Sequence, residues 1–367
     1  MFDENIEKKS LGVVGIVGVP AKYGGFETLI ENILEHLCDN FQVTVFCESS
    51  SYSEKLKFYK GAKLQYLNYN ANGVSSIIFD ATSIIRARDF DSILILGVSG
   101  AFILPAIRKI YKGKIITNID GLEWKRDKWN LLTKKFLKLS ELWAIKYSDA
   151  IISDNYYIQK HVLENYNKES CLIPYGGDHV RDTNEVNLLD NYGVKKDSYF
   201  FTVCRIEPEN NLDLMIEAFL DSNIDKQYVL IGNFHKSDYG VKLKEKYSTQ
   251  KNLLMLDPIY QQEILDQLRK NCFYYLHGHS AGGTNPSLVE AMYLGLPIIA
   301  YGVSYNRSTT KNKAIYFNTK VELIEKFKTI NEDQRISLKR EMKKIAEENY
   351  IWNRIGEKYI SLINSVL

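Results

Sequence analysis

The chain lacks any apolar run approaching the roughly 20 residues that span a bilayer, so no transmembrane helix is expected. Its opening, MFDENIEKKS, carries acidic residues and no apolar h-region, so it does not read as a secretory signal. Cysteine is sparse. Cys38, Cys47, Cys171, Cys204 and Cys272 are scattered without metal-type spacing, which reads as reduced core thiols in the cytoplasm. A charge excess is missing too: Lys plus Arg number 47 and Asp plus Glu 45, a net charge of +2, which argues against a dedicated nucleic-acid binder. There is no solenoid repeat and no low-complexity tract. The Gly-x-Gly-x-x-Gly dinucleotide fingerprint does not follow the first strand. What remains is a globular composition, 45% hydrophobic and 25% charged, long enough at 367 residues for two domains.

Apolar runs and helical periodicity alternate along the chain. Leu11–Val19 reads as a buried strand, followed by a Gly-containing turn and a helix over Phe26–Leu37. Further strands are predicted at Phe41–Cys47, Ile93–Gly97, Lys114–Asn118 and Ala150–Ser153, with helices over about 75–88 and 131–147. Pro174-Tyr175-Gly176-Gly177-Asp178 punctuates the pattern, and a second series begins. Its strands are Tyr199–Cys204, Tyr228–Ile231, Leu253–Leu256, Phe273–Leu276 and Ile298–Tyr301, with a helix over Leu212–Leu220. Two such series predict two parallel-sheet α/β domains, hinged near 175–195, with ligands at the carboxyl ends of the strands between them. The tail from Tyr350 carries Trp352, Ile355, Tyr359, Ile360 and Ile363 at helical spacing. The expected division is therefore 1–178, 179–349, and a 350–367 helix packing back on the first domain.

Several segments carry candidate chemistry. Gly278–Pro297, GHSAGGTNPSLVEAMYLGLP, runs from a small-residue turn into a helix that Asn285 or Thr284 would cap and Pro286 would open. Backbone N–H groups at such a start attract an anion, and Glu290 just inside could grip a ribose; the alternative is an ordinary strand–turn–helix. Gly24-Gly25 precedes the first helix and lets a ligand approach the backbone, or simply makes a tight turn. Glu27 is a functional carboxylate or a first-turn acid facing the helix dipole. Arg205, leaving a strand end, suits a diphosphate through its permanently charged two-pronged guanidinium, or makes a surface ion pair. His277 and His279 share a strand face, but no third metal ligand has suitable spacing. Asp120, after the strand Lys114–Asn118, either orients a hydroxyl as a base or caps a turn. Lys125–Lys146 interleaves seven cations with Trp and Leu, which suits an anionic membrane surface or a core helix with a solvated basic face.

Together these segments resemble the retaining glycosyltransferases of family four. That resemblance implies the GT-B fold: two facing Rossmann-like parallel-sheet domains with a C-terminal crossover helix. Arg205–Asn211 looks like the family's Gly-Arg-…-Pro-Glu-Lys-Gly segment, Glu290 like the second Glu of its Glu-x7-Glu motif, and Gly24-Gly25 like its Gly-Gly loop. PAKYGGFET, DGLEWKRDKW, HGHSAGGTNPSLVEAM and YNRSTTKNKAIYF look more narrowly like bacterial capsular and cell-wall rhamnosyltransferases. Three positions depart from the broad family: Gly282 stands for its first Glu, Asn210 for its Lys, and Asp120 for a frequent His.

The resemblance implies transfer of L-rhamnose from dTDP-β-L-rhamnose, with retention, to a saccharide on a polyprenyl diphosphate. The enzyme would be cytoplasmic, with attachment to the inner membrane face left open, and would need neither metal nor cofactor. Asp120 and Arg205 take the catalytic roles. The donor set is Gly24, Gly25, Arg205, Asn210, Tyr260, Gly282, Gly283, Thr284, Asn285 and Glu290. The acceptor set is Tyr23, Glu27, Glu123, Trp124, Lys125 and Arg126. Competing readings are a transferase for another nucleotide sugar, a GT-B sugar-nucleotide epimerase, and a non-catalytic nucleotide-sugar-binding scaffold.

Overall fold

In the computed structural model, residues 8–22, 24–119, 121–126, 129–182 and 185–367 are described. The chain forms two units: Met1–Pro174 together with Trp352–Leu367, and Tyr175–Ile351. The segment 175–178 therefore goes with the second unit, not the first.

The first unit alternates strand and helix: β1 (Ser10–Val14), α1 (Gly25–Asn40), β2 (Gln42–Glu48), β3 (Phe58–Tyr59), β4 (Ala62–Leu67), α2 (Ser76–Arg86), β5 (Ser92–Leu96), α3 (Leu104–Ile107), β6 (Lys114–Asn118), α4 (Leu131–Tyr147), β7 (Ala150–Ser153), α5 (Tyr156–Tyr166) and β8 (Cys171–Leu172). The sheet order is β3-β4-β2-β1-β5-β6-β7-β8. Every ladder is parallel except β3 with β4 at one edge. Central strands covered on both faces need apolar residues at every position, which is why Leu11, Val13, Val14 and Ile93–Leu96 run without polar alternation. β1 ends at Val14, not Val19. Gly15 turns to φ 93°, and any Cβ there would lie 2.2 Å from the Leu96 carbonyl oxygen. The chain runs outward from β1 to β2 and β4, then returns to β5 on the other side. That reversal puts the natural ligand crevice at the carboxyl ends of β1 and β5.

The second unit repeats the plan: β9 (Tyr199–Val203), α6 (Leu212–Ser222), β10 (Gln227–Ile231), α7 (Asp238–Tyr247), β11 (Leu253–Leu256), α8 (Gln262–Lys270), β12 (Tyr274–His277), α9 (Pro286–Tyr293), β13 (Ile298–Tyr301), α10 (Ser304–Thr309), β14 (Ile315–Phe317), α11 (Lys320–Thr329) and α12 (Glu332–Asn349). Its sheet is parallel, ordered β11-β10-β9-β12-β13-β14. The order reverses between β9 and β12, the two strands that lead into the Arg205 and Gly278 segments. Phe200, Phe219, Tyr228, Tyr274 and Phe327 build an aromatic core, with the Phe200 and Phe327 rings 4.7 Å apart.

The last helix, α13 (Trp352–Val366), rejoins the first unit and packs on α1. It buries Trp352, Ile355, Tyr359 and Ile363. Gly356 lets it approach His36, whose ring a Cβ would meet at 2.9 Å. Asn118, at the end of β6, donates from Nδ2 to the Tyr359 hydroxyl at 2.8 Å.

Candidate active site

In the second unit two loops leave adjacent strands and are stitched together. Asn210 Nδ2 donates to the Arg205 carbonyl at 2.7 Å, and Asn210 Oδ1 lies 2.9 Å from His279 Nδ1. Asn211 Nδ2 donates to the Gly278 carbonyl at 2.7 Å. The Ser280 N–H and hydroxyl both donate to the Glu209 carbonyl, at 2.8 and 2.9 Å. Position 278 must be glycine, because a Cβ would lie 2.0 Å from the Asn210 carbonyl oxygen. Asn210, placed by sequence among the donor contacts, is buried with both ends of its amide bonded internally, so it shapes the loop. Arg205, beside it, is exposed at the end of β9.

Beyond the stitch, Gly282 adopts φ 115°, and Gly283 and Thr284 lead into α9. Asn285, rather than Thr284, is the cap: its Oδ1 accepts from the Ser287 N–H at 3.0 Å and from the Ser287 hydroxyl at 2.8 Å. Pro286 occupies the first helical position, where a missing N–H costs nothing. Glu290 follows one turn in, with Oε2 2.6 Å from Arg269 Nη2 and Oε1 3.2 Å from His179 Nε2. Burial would raise its carboxyl, but Arg269 and then His179 outweigh that and hold it below the ordinary carboxylate value. Tyr260 is exposed on the loop after β11. His277 is buried against Tyr275, and burial pushes its imidazole down to about 3, with Asn306 opposing, so it is neutral. Among the described residues, no group of three or more His, Cys, Asp or Glu is placed to hold a metal ion.

In the first unit the loop after β1 is held from α1. Glu27 Oε1 accepts from the Val17 N–H at 2.8 Å, and Glu31 Oε2 accepts from the Ala21 N–H at 3.0 Å. Gly24 is required beneath this carboxylate: its φ is 136°, and a Cβ would lie 1.9 Å from Glu27 Oε2. Glu27, expected from sequence at the acceptor, is therefore buried with Oε1 turned onto the loop. Gly25 begins α1. Tyr23 and Asp120 lie outside the described residues.

The loop after β6 is similarly anchored. Trp124 Nε1 donates to Glu141 Oε2 at 2.9 Å, with Lys125 and Lys138 5.4 and 5.0 Å from its ring centre. Glu123 and Arg126 form an ion pair at 3.0 Å, while Lys125 is exposed. Glu141, 20 residues before His161 and not singled out by sequence, is the hub of this corner. It also meets His161 Nε2 at 2.8 Å and the Tyr166 hydroxyl at 2.6 Å. Only its position on the buried side of α4 marks it in the sequence. Beside the β5 loop, Asp80 is buried under Gly100 and accepts from the Ser99 hydroxyl. Burial raises its carboxyl to about 7, with Ser99 offsetting part of the rise.

Comparison with known proteins agrees with this architecture. Residues 189–349 match the family described as glycosyl transferases group 1, and residues 8–178 match a domain of unknown function, DUF1972. No curated protein matches the chain. Among solved structures, the chain is similar to a sucrose-phosphate synthase from Thermosynechococcus elongatus, with TM-score 0.82 and 12% identity over 98% of this chain and 99% of that one. It is also similar to HepE from Anabaena solved with UDP-glucose, with TM-score 0.77 and 15% identity over 98% and 100%. A glycosyltransferase from Rickettsia africae gives TM-score 0.72 and 13% identity over 98% and 99%. The chain therefore has the GT-B fold, and residues 189–349, within its second unit, match the group 1 glycosyltransferase family.

Proposed function

We propose that this glycosyltransferase moves L-rhamnose from dTDP-β-L-rhamnose, with retention, onto a saccharide carried by a polyprenyl diphosphate at a membrane surface, in the synthesis of a surface polysaccharide such as a capsule. The observation that carries the donor half is the convergence of Arg205 and the capped start of α9, with Glu290 one turn inside, on adjacent strands β9 and β12. A guanidinium and helix N–H groups suit a departing diphosphate, and a carboxylate suits a pentose hydroxyl. HepE, which shares the fold, was solved with UDP-glucose, in keeping with a nucleotide-sugar donor. The rhamnose assignment rests on the resemblance of four segments to rhamnosyltransferases. Gly282, where the broad family has a sugar-binding Glu, leaves donor choice to the Gly283–Asn285 backbone.

The chemical step is front-side attack. The acceptor hydroxyl bonds to the anomeric carbon on the face that the diphosphate leaves. Its proton passes to the departing diphosphate oxygen, and Asp120 orients the hydroxyl. Arg205 carries the growing negative charge. The acceptor half is supported by α4. Its exposed side carries Leu131, Leu132, Leu139 and Leu142 beside Lys135, Lys138 and Lys146, and its one acid, Glu141, is buried. Such a face suits an anionic bilayer, where a lipid-linked acceptor resides.

The test is a donor screen over dTDP-, UDP- and GDP-sugars with a lipid-linked glucose or N-acetylglucosamine. Release of dTDP with a rhamnosylated product is expected. Another nucleotide released instead replaces the donor. A free sugar-nucleotide isomer made without acceptor would identify an epimerase, and nucleotide binding without turnover a scaffold. Arg205→Ala is expected to lower kcat/KM by roughly 100-fold or more in the folded protein; near-normal turnover would remove the diphosphate role.

A further inference from the structure

Arg269, near the end of α8, is among the largest fully buried side chains of the protein. Its Nη1 donates to Asp266 Oδ1 at 3.1 Å, one turn back on the same helix, and its Nη2 reaches Glu290 Oε2 at 2.6 Å. Its Nε has no hydrogen-bond partner among the described residues. Burying a guanidinium is costly, and well-packed apolar side chains often replace such a cluster without loss of stability. A purely structural account therefore leaves Arg269 unexplained.

The segment that enters the second unit meets the same cluster twice. His179 Nε2 lies 3.2 Å from Glu290 Oε1, and the Arg181 N–H donates to Asp266 Oδ2 at 2.8 Å. Gly177 lets this segment lie directly on α9, since a Cβ there would stand 2.6 Å from the Val289 carbonyl oxygen. Among the described residues, each Glu290 oxygen thus has one nitrogen partner. A carboxylate has about four acceptor positions, so each oxygen keeps capacity for a further donor while its direction is fixed. Of the two partners, Arg269 is sealed in the core and His179 is 18% exposed at its side chain.

We propose that Arg269 and His179 are positioning residues that hold Glu290 as a fixed acceptor for the pentose hydroxyls of a nucleoside diphosphate. This rests on the ribose reading of Glu290 given above. Arg269 sets one oxygen from inside the domain, and His179 sets the other from the segment joining the two strand–helix series.

Calorimetric titration of the full chain with UDP, dTDP and inorganic diphosphate tests it. UDP offers two pentose hydroxyls, dTDP one and inorganic diphosphate none. Glu290→Gln should weaken both nucleotides by roughly tenfold, the scale of a charge-assisted hydrogen bond, and leave inorganic diphosphate nearly unchanged. Arg269→Lys and His179→Gln should reproduce that selective loss with Glu290 in place. Adding His179→Gln to Glu290→Gln should cost nothing further, a non-additivity that general loosening of the fold would not produce. If Glu290→Gln leaves nucleotide affinity intact, the ribose reading itself falls. If it weakens nucleotides but His179→Gln and Arg269→Lys bind as wild type, the ribose reading stands and the positioning role is overturned. Should Arg269→Lys fail to fold, His179→Gln, at the edge of the cluster, decides alone.

Discussion

A carboxylate sealed in the first unit shows how much one residue can do to the protein's response to pH. Asp80 is 6% exposed, and burial raises its carboxyl to about 7, with the Ser99 hydroxyl offsetting part of the rise. Between the ordinary carboxylate range and about 7, the folded chain keeps a proton that the unfolded chain has released. Stability therefore falls as pH rises through that window. The full loss is on the order of 4 kcal/mol, complete above neutrality. Asp80→Asn should leave the melting temperature near wild type at pH 4 and raise it increasingly up to pH 8. Thermal unfolding of both proteins across that range checks this, and equal melting curves at pH 8 would refute it. His277 in the second unit works in the opposite sense. Burial holds its imidazole down to about 3, so below its ordinary value near 6.5 the unfolded chain takes a proton that the folded chain refuses. Its contribution is lost as pH falls through that range.

At the scale of elements, α4 is the clearest case of a face without a partner among the described residues. Leu131 and Leu132 are 78% and 79% exposed, so changing them should not disturb the core. Leu131→Glu with Leu132→Glu should abolish flotation with anionic phospholipid vesicles, and Lys135→Glu with Lys138→Glu should do the same. Binding of the wild type should weaken as salt rises. Wild-type protein that stays with the soluble fraction at low salt would end the membrane proposal. Elements of this kind were readable because their apolar residues keep a period. α4 has its predicted bounds, and the central strands are uninterrupted apolar runs. The edge pair β3–β4 and the polar helices α5, α7 and α12 carry weak patterns and were missed. The helix start at Asn285 was legible because capping is local. The directions of Glu27 and Asn210 were not, because each is set by a loop that folds back on it. Arg269 and Glu141 were invisible for a related reason: Glu290, which Arg269 reaches, and Trp124 and His161, which meet Glu141, lie about 20 residues away, beyond any local pattern.

At the scale of the molecule, the first unit is built from two separated stretches of chain. Trp352, Ile355, Tyr359 and Ile363 are all buried in it, and Tyr359 takes the hydrogen bond from Asn118. Deleting residues 352–367 should therefore unfold or loosen the first unit, although the cut directly follows the second. Losing four large buried side chains should cost several kcal/mol, enough to exhaust much of a domain's margin. The second unit contains Arg205, Asn285 and Glu290 within Tyr175–Ile351 and should still bind a nucleoside diphosphate. Calorimetric melting with UDP titration checks both outcomes. Loss of nucleotide binding together with the first unit would show that the two do not stand apart.

The return of α13 to α1 also sets an order of events during synthesis. When Pro174 leaves the ribosome, the first unit still lacks the helix that covers His36 and pairs with Asn118. The whole of Tyr175–Ile351 must be made before that helix exists, a delay of roughly ten to forty seconds at 5–20 residues per second. Throughout that interval the apolar side of α1 awaits its cover while the second unit can already close. The unit begun first is thus the one finished last, and its exposed face is where a chaperone would be needed during translation.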